Sequence, residues 1–292
     1  MPVSAGYLGL RDRAACFDIS SRARLSVTGE DRVRLLHALA SNEIEGLEPG
    51  QATTTFFLNP QGRIQVCCRL YMDVDRVLLE TDSDHRQTLI DYLESYIIMD
   101  DVALADLTDT TAAIAVEGPQ AAAITEGIDV HMVGASPLCA SEGVWILTDP
   151  DSTAGLADQL ALPEASEDDC LRARVENHRP VHGVDYSDRN IPHETDLLEF
   201  VSFNKGCYVG QEIVERVHSR GQVNRVLRAI ELDTQSLPED LTIRSGDKEL
   251  GTLTSPVLAG DGKRVLGLSL LPREVRTGDL EVNGAKASWR EL

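Results

Sequence analysis

Hydrophobic positions along the chain repeat with two different periods. Alternation of apolar and polar residues is typical of half-buried strands, whereas an apolar residue at every third or fourth position is typical of amphipathic helices. Strand patterns lie at 24–28, at 53–71 around a turn at 59–62, and at 111–118, and helix patterns lie at 30–41, 84–97, 167–177 and 211–220. Asp84 is a predicted N-cap, because its side chain can accept a hydrogen bond from the first helical turn. This mixture, without a regular βαβ alternation, predicts the α+β class.

The pattern changes in the last third of the chain. From about residue 222 the helical period disappears. Short apolar runs, separated by Gly, Pro and Asp, follow at 226–232, 249–255, 264–270 and 280–289. Short strands with turn residues between them are typical of a small barrel or sandwich. We therefore expect two domains, an α+β region over 1–221 and a C-terminal all-β barrel over 222–292.

Charge and hydropathy narrow the class of protein. Of the 292 residues, 27 are Lys or Arg and 48 are Asp or Glu, which gives a net charge of −21. Such a surface repels nucleic acid and anionic membranes, so direct nucleic-acid binding is not expected. No apolar run approaches the ~18 residues that a membrane span needs, and the first ten residues lack a leader pattern. A cytoplasmic protein without a membrane segment is expected.

The segment richest in chemistry is 199–225. After an apolar lead-in, Gly206 and Gly210 bracket Cys207, and a predicted helix follows. Gly206 is expected to allow a special backbone conformation or a close approach to a ligand. Cys207 precedes the helix by about one turn and lies two residues from Lys205. A helix N-terminus and a nearby cation both favour the thiolate, which is a nucleophile and a metal ligand. The alternative is a structural thiol in a tight loop.

Basic residues concentrate in the same region. Residues 205–228 carry five cations against two acids, a local charge of +3 in an acidic chain. This basic island is a candidate anion site. The alternative is a solvated helix face with ordinary ion pairs.

The sequence KGCYVGQE at 205–212 resembles the signature of the YgfZ-type folate-binding proteins, which are implicated in maintaining iron–sulfur enzymes. These proteins are similar in turn to the glycine-cleavage T-protein, a tetrahydrofolate-dependent aminomethyltransferase. Further segments that resemble the family lie at 16–44, 58–64, 172–186, 191–197, 249–257 and 264–272. The resemblance implies a three-lobed arrangement around a central folate channel, with a C-terminal all-β barrel.

The resemblance also implies site residues. Cys207 and Lys205 are the expected catalytic residues, and Cys207 is the expected ligand of a shared or transient iron–sulfur cluster. The expected folate contacts within the signature are Gly206, Tyr208, Gly210, Gln211 and Glu212. Outside it, Glu194 and Glu176 are candidates, because a carboxylate can accept adjacent N–H donors of a pterin edge. Arg220 is expected to meet the carboxylates of the folate tail, together with Lys205, Arg216 and Arg225.

One position departs from the T-protein. Val66 and Cys67 stand where the T-protein carries an acidic pair, so no carboxylate is available there for proton transfer. The leading hypothesis is therefore a folate-binding accessory protein for iron–sulfur cluster assembly or repair, with cluster scaffolds or carriers and client enzymes as partners. The alternative is a folate-dependent aminomethyl or one-carbon transferase. A third hypothesis is an indirect role in tRNA modification, through radical iron–sulfur enzymes.

Overall fold

The computed structural model describes residues 3–126, 133–135, 137–221, 223–275 and 280–290. The α-helices are α1 (Ala5–Asp12), α2 (Arg32–Leu39), α3 (Arg86–Tyr96), α4 (Ala121–Thr125), α5 (Thr153–Leu160), α6 (Glu167–Glu176) and α7 (Gln211–Arg220). Short 3-10 helices lie at Ser83–His85, Pro150–Ser152, Pro192–Glu194 and Leu198–Phe200. None of the helices in these residues is long and apolar enough to span a bilayer.

The strands form three antiparallel sheets. In chain order they are β1 (Ala15–Asp18), β2 (Ala23–Thr28), β3 (Ala52–Leu58), β4 (Ile64–Met72), β5 (Val77–Thr81), β6 (Ala103–Asp106), β7 (Ala112–Glu117), β8 (Val133–Ala135), β9 (Gly143–Thr148), β10 (Arg225–Leu232), β11 (Thr242–Ser245), β12 (Lys248–Thr252), β13 (Thr254–Leu258), β14 (Val265–Pro272), β15 (Leu280–Val282) and β16 (Ala285–Trp289). The sheet orders are β3-β4-β5-β2-β6, β1-β7-β9-β8 and β12-β11-β15-β16-β10-β14-β13. Each sheet is the centre of one lobe, numbered here in that order.

The first two lobes are interleaved in the chain. Strand β1 belongs to the second sheet, the chain then builds the whole first sheet, and β7 returns to pair with β1. In the first lobe, Leu36 and Leu89 place the apolar faces of α2 and α3 against Phe57 and Leu70 of the sheet. This burial of apolar surface is what fixes both helices on the sheet.

In the described residues the third lobe contains seven strands, which lie within 225–275 and 280–289. Its sheet is nearly closed on itself, and it encloses a core that includes Ile230, Val265 and Val282. A register shift between Ile243 and Arg244 marks a bulge, which helps a sheet to curve. The predicted α+β class with a C-terminal all-β barrel is confirmed. The domain boundary at residue 221 stays a prediction.

A buried arginine joins the two places where the chain crosses between the first and second sheets. Arg24, in β2, is fully buried. Its guanidinium donates to the carbonyl oxygens of Ile19, Ser20, Arg22, Thr108 and Thr111, at distances between 2.7 and 3.4 Å. Three of these acceptors lie between β1 and β2, and two lie between β6 and β7. One side chain thus holds both crossings together and leaves few of its own donors unpaired.

A second buried network attaches the third lobe to helix α6. Asp185 is buried and pairs with Arg174 of α6, with 2.8 Å between Nη1 and Oδ2. The other carboxylate oxygen of Asp185 accepts hydrogen bonds from the hydroxyls of Thr254 and Ser255 in β13, both at 2.6 Å. Arg174 also donates to the Ser255 hydroxyl at 2.5 Å. This network fixes the barrel against the rest of the chain.

The structure corrects some details of the prediction. Asp84 does not cap a helix, because a 3-10 turn at Ser83–His85 precedes α3 and His85 holds the N-cap position without a side-chain cap. The apolar run at 249–255 contains the end of one strand and the start of the next, since Leu253 lies between β12 and β13. Helix α1 is not among the predicted elements, and its residues Tyr7 and Leu10 are buried in the core.

The Arg24 network predicts a large loss of stability when the guanidinium is removed. Arg24→Met leaves buried carbonyl oxygens at both crossings without a donor, and we expect the free energy of unfolding to fall by about 3–5 kcal/mol. Urea denaturation followed by circular dichroism measures the change. Arg34→Met, at an exposed position of α2, is the matched control and should leave the midpoint almost unchanged. Equal midpoints for the two variants would show that the Arg24 network is not a stabilising contact.

Candidate functional site

A cavity of about 580 Å³ lies where the first two lobes meet helix α6 and the segment that follows it. Its polar wall residues include Arg22, Arg69, Asp82, Arg174, Arg179, His182 and Tyr186. Arg22 and Arg69 share the carboxylate of buried Glu80, and Arg22 also pairs with Asp82. The positive charge of this side of the cavity is therefore largely balanced by the protein's own acids.

Arg179 is the cation of the cavity wall that the protein leaves without a carboxylate in the described residues. Its guanidinium donates to the carbonyl oxygens of Ala140 at 2.9 Å and Ser141 at 3.3 Å. Burial lowers the pKa of Arg179, although an arginine stays charged at neutral pH. A charged guanidinium held only by carbonyl dipoles at a cavity wall is suited to an anionic group of a ligand.

Cys67 lies in the cavity wall, on β4. Its thiol is hydrogen-bonded to the hydroxyl of Tyr186, and burial raises its pKa to about 11. A thiol with that pKa stays protonated at neutral pH and is a poor nucleophile. Val66, on the other face of the strand, is fully buried.

The loop before α7 is held by one buried ammonium group. Lys205 Nζ donates to the carbonyl oxygens of His37, Ala40 and Asn42, the last two at 2.6 and 3.0 Å. These acceptors lie at and just beyond the C-terminal end of α2, where carbonyl groups lack helical partners. Burial lowers the pKa of Lys205 to about 8. The structure thus uses the Lys205 amine to position the loop and does not direct it toward Cys207.

Cys207 is exposed at the surface of this loop. The other five cysteines, all within the described residues, are buried or half-buried. Cys207 precedes the first residue of α7 by four positions, as the sequence predicts. It does not line the cavity. The exposed thiol of the signature and the cavity are therefore two separate places on the protein.

The two glycines of the signature have different roles. Gly210 has a φ of 83°, and a Cβ there would lie 2.6 Å from the carbonyl oxygen of Asn59, so only glycine fits. It forms the N-cap of α7 and lets the helix approach the turn before β4. A Cβ added at Gly206 would have no other atom within 4 Å, and the backbone of Gly206 has no left-handed φ. The expected special backbone conformation at Gly206 is wrong, and its close approach to a ligand stays a prediction.

The remaining residues of the signature point away from the cavity or into the core. Tyr208 is buried beside Tyr186 and Val214, and its ring centroid lies 5.3 Å from Lys205 Nζ. Burial raises the pKa of the Tyr208 hydroxyl. Gln211 is half-buried, while Glu212 and Arg220 are exposed on α7. None of Gln211, Glu212 and Arg220 lines the cavity.

Glu194 and Glu176 are occupied by donors of the protein itself. Glu194 accepts from the Asn190 side chain at 2.9 Å and from the Ile191 amide at 3.2 Å. Glu176 accepts from the Tyr7 hydroxyl at 2.7 Å and from an amide of the barrel at 3.1 Å. Neither lines the cavity. Their part in holding a pterin stays a prediction, and the geometry gives both a structural role.

Comparison with known proteins shows which families this chain resembles. Residues 3–133 match the family model of the GCVT N-terminal domain. The tRNA-modifying protein YgfZ of Escherichia coli O7:K1 is 26% identical over 267 residues, which cover 84% of this chain and 81% of that protein. The chain is similar to YgfZ and, over residues 3–133, to the T-protein family. The resemblance inferred from KGCYVGQE is thereby confirmed.

Two other relatives extend well beyond the region that they share with this chain. A chloroplastic Arabidopsis thaliana protein named as a transferase is 27% identical over 282 residues, 88% of this chain and 65% of that protein. The iron–sulfur cluster assembly factor IBA57 homologue of Mycosarcoma maydis is 27% identical over 251 residues, 78% of this chain and 60% of that protein. The chain thus spans less than two thirds of both relatives.

A solved structure shows that this chain has the T-protein fold. The glycine cleavage system aminomethyltransferase T from Bartonella henselae matches 98% of this chain and 88% of its own, with a TM-score of 0.85 at 19% identity. The predicted T-protein-like arrangement is confirmed.

Sequence reasoning missed most of the cavity wall. Arg179 and His182 lie in the segment 172–186 that carries the family resemblance, so a signal for them was present. Arg69 lies in the strand pattern at 53–71, which gave no sign of which face meets the cavity, and Arg22 lies just before the pattern at 24–28.

The position of Lys205 predicts how its removal acts. Lys205→Met leaves three carbonyl oxygens without a donor, and we expect a loss of about 2–4 kcal/mol in the free energy of unfolding. We also expect faster hydrogen exchange across residues 202–208. Urea denaturation and exchange measured by mass spectrometry test both, with Lys263→Met at an exposed barrel position as control. Wild-type stability and exchange in a Lys205→Met protein that has lost activity would instead assign the amine a chemical role.

Proposed function

We propose that this protein acts in the assembly or repair of iron–sulfur clusters in client enzymes, through the thiol of Cys207. The observation that carries the proposal is the exposure of Cys207 in a chain whose other cysteines are buried or half-buried. The name of one relative, an iron–sulfur cluster assembly factor, supports this function. A thiol at the surface can meet a cluster that another protein holds, which a thiol in the cavity could not do.

The cluster in this proposal is a cargo shared with a partner. A protein-bound cluster usually takes four thiolates. Among the described residues, no group of three or more His, Cys, Asp or Glu side chains could hold a metal ion. Cys207 therefore supplies one ligand at most, and a scaffold or carrier protein supplies the others. An effect on tRNA modification follows indirectly, when the client is a radical iron–sulfur enzyme.

A folate-type ligand such as tetrahydrofolate is the proposed occupant of the cavity. A volume of about 580 Å³ is in the range of small-molecule sites. Two wall residues have buried polar atoms without a partner in the described chain, Arg69 at Nε and His182 at Nδ1. Buried polar groups are normally paired, so these atoms fit a polar ligand. Arg179 would hold a carboxylate of such a ligand, and the ligand would supply one-carbon chemistry or act as an effector.

The aminomethyltransferase fold makes one-carbon transfer the second candidate. Position 67, where the T-protein carries an acid, holds a thiol that stays protonated at neutral pH, and position 66 is an apolar core residue. Neither side chain can orient or deprotonate an amine as a carboxylate does. This chemistry favours the iron–sulfur proposal over transfer.

Complementation of cells that lack the gene tests the proposed function. Wild type and Cys67→Ala should restore the activity of an iron–sulfur enzyme such as aconitase under oxidative stress, whereas Cys207→Ala should restore less than about a tenth of it. Protein levels measured by immunoblot show that the variants accumulate equally. Full restoration by Cys207→Ala would make that thiol structural and reject the proposal. Failure of Cys67→Ala alone would move the reactive centre into the cavity.

A further inference from the structure

Arginines without a carboxylate partner gather around helix α7. Most exposed arginines elsewhere are ion-paired, as Arg34 is with Asp100 and Arg264 with Glu231. Exposed arginines that have no carboxylate within 4.0 Å, in the part of the chain that the structure describes, are Arg13, just before β1, and six others: Arg63, Arg189, Arg216, Arg220, Arg225 and Arg273. These six are called the arginine face. In a chain with 48 acids and 27 cations, such unpaired arginines are not expected to cluster by chance.

Contacts in the structure place the arginine face on one surface. Arg216 and Arg220 lie four residues apart on α7, so they point to the same side of the helix. Arg273 donates to the carbonyl oxygen of Gly221, which ends α7, and the amide of Arg273 donates to Asn224, the neighbour of Arg225.

The other end of α7 carries the rest of the face. Gly62 packs against Ile213 of α7, and the next residue, Arg63, donates to the carbonyl oxygen of Arg189. Cys207 lies four residues before the same helix, whose ten residues are about 15 Å long. The thiol and the arginines therefore fit within the area of a single protein interface.

The charge of this surface opposes that of the whole protein. The six arginines have the acidic neighbours Asp188, Glu212, Glu215 and Glu274, which leaves a local charge of 6 − 4 = +2. The rest of the chain then sums to −21 − 2 = −23. The arginine face does not line the cavity, so the predicted contact of Arg216, Arg220 and Arg225 with a folate tail has no support in the geometry.

We propose that the arginine face docks an acidic surface of the protein that exchanges its thiol-held cargo with Cys207. The inference rests on the proposed function and names the chemistry of its partner. Charge complementarity at the rim of an interface steers encounter and fixes orientation more than it adds affinity. A protein partner is favoured over nucleic acid because the exposed thiol that precedes α7 has a use for a thiolate or disulfide, and none for a phosphate backbone.

The rate of thiol–disulfide exchange with charged peptides reports the electrostatic potential at Cys207. Each probe is a peptide with one cysteine, activated as a mixed disulfide with 2-nitro-5-thiobenzoate and flanked by three Glu or by three Lys. The Cys207 thiolate attacks the peptide sulfur, a new disulfide forms, and 2-nitro-5-thiobenzoate leaves as a coloured anion. The thiol proton goes to the buffer. Cys207→Ser gives the background from other cysteines, and 2-mercaptoethanol gives the intrinsic reactivity of each peptide.

The net charge of the protein and the arginine face predict opposite orders for the normalised rates of the two peptides. The net charge of −21 alone would favour the Lys peptide. The arginine face predicts that the Glu peptide reacts about tenfold faster at low ionic strength, and that the difference disappears in about 0.5 M salt. A faster Lys peptide, or equal rates at low salt, would overturn the proposal.

Matched variants assign the preference to the face. Arg216→Glu/Arg220→Glu should abolish or reverse it, and Lys248→Glu/Lys263→Glu, which changes the net charge equally at exposed barrel positions, should retain it. Arg216→Gln/Arg220→Gln, a milder change, should give an intermediate ratio. Circular dichroism confirms folding. Protection of Cys207 by an RNA oligonucleotide at lower concentration than by polyglutamate would identify a nucleic-acid site and overturn the proposal.

The result is separable from the proposed function. If wild type shows no preference for the Glu peptide and Cys207→Ala still fails to complement cells, the docking surface alone is rejected. Activity of Cys207→Ala in cells would reject the cluster function, whatever the peptides show.

Discussion

The fold depends on a charge that is buried without an acid of its own. Arg24 collects carbonyl oxygens from the segment between β1 and β2 and from the segment between β6 and β7, the two crossings that connect the first two lobes. A guanidinium can do this because it offers five donors in one plane. Because Ile19 and Arg22 beside these crossings also line the cavity, the same interaction holds part of the cavity wall in place.

The cavity and the loop with Cys207 are two separate sites with different surroundings. The cavity is lined by arginines that are paired with buried acids, by Arg179 without a carboxylate partner in the described residues, and by a Cys67 thiol that stays protonated, so it is suited to hold a ligand. The loop with Cys207 is open to solvent, and Lys205 fixes it to the end of α2. In the proposed function, the Cys207 thiol meets a partner protein outside the cavity, and a ligand in the cavity would act on that encounter only through the structure between the two sites.

The sequence predicted the elements better than it predicted the wall of the cavity. Helix α7 begins and ends where the period and Gly221 predict, because both signals are local. The role of Lys205 was not predictable, since its acceptors lie more than 160 residues away in the chain. Glu194 has the chemistry of a ligand contact, but its short-range donors decide its orientation. Contacts between distant segments, which no periodicity records, account for most of what was missed.

Titration with 5-formyltetrahydrofolate, a stable reduced folate, tests most directly the claim that the ligand cavity and the reactive thiol are separate. Calorimetry should give the same dissociation constant, within about twofold, for wild type and Cys207→Ala. Arg179→Leu should bind about tenfold more weakly, because a charge-assisted contact is lost, and Arg189→Leu at an exposed position should bind as wild type does. Loss of folate binding in Cys207→Ala, or wild-type binding in Arg179→Leu, would contradict the account.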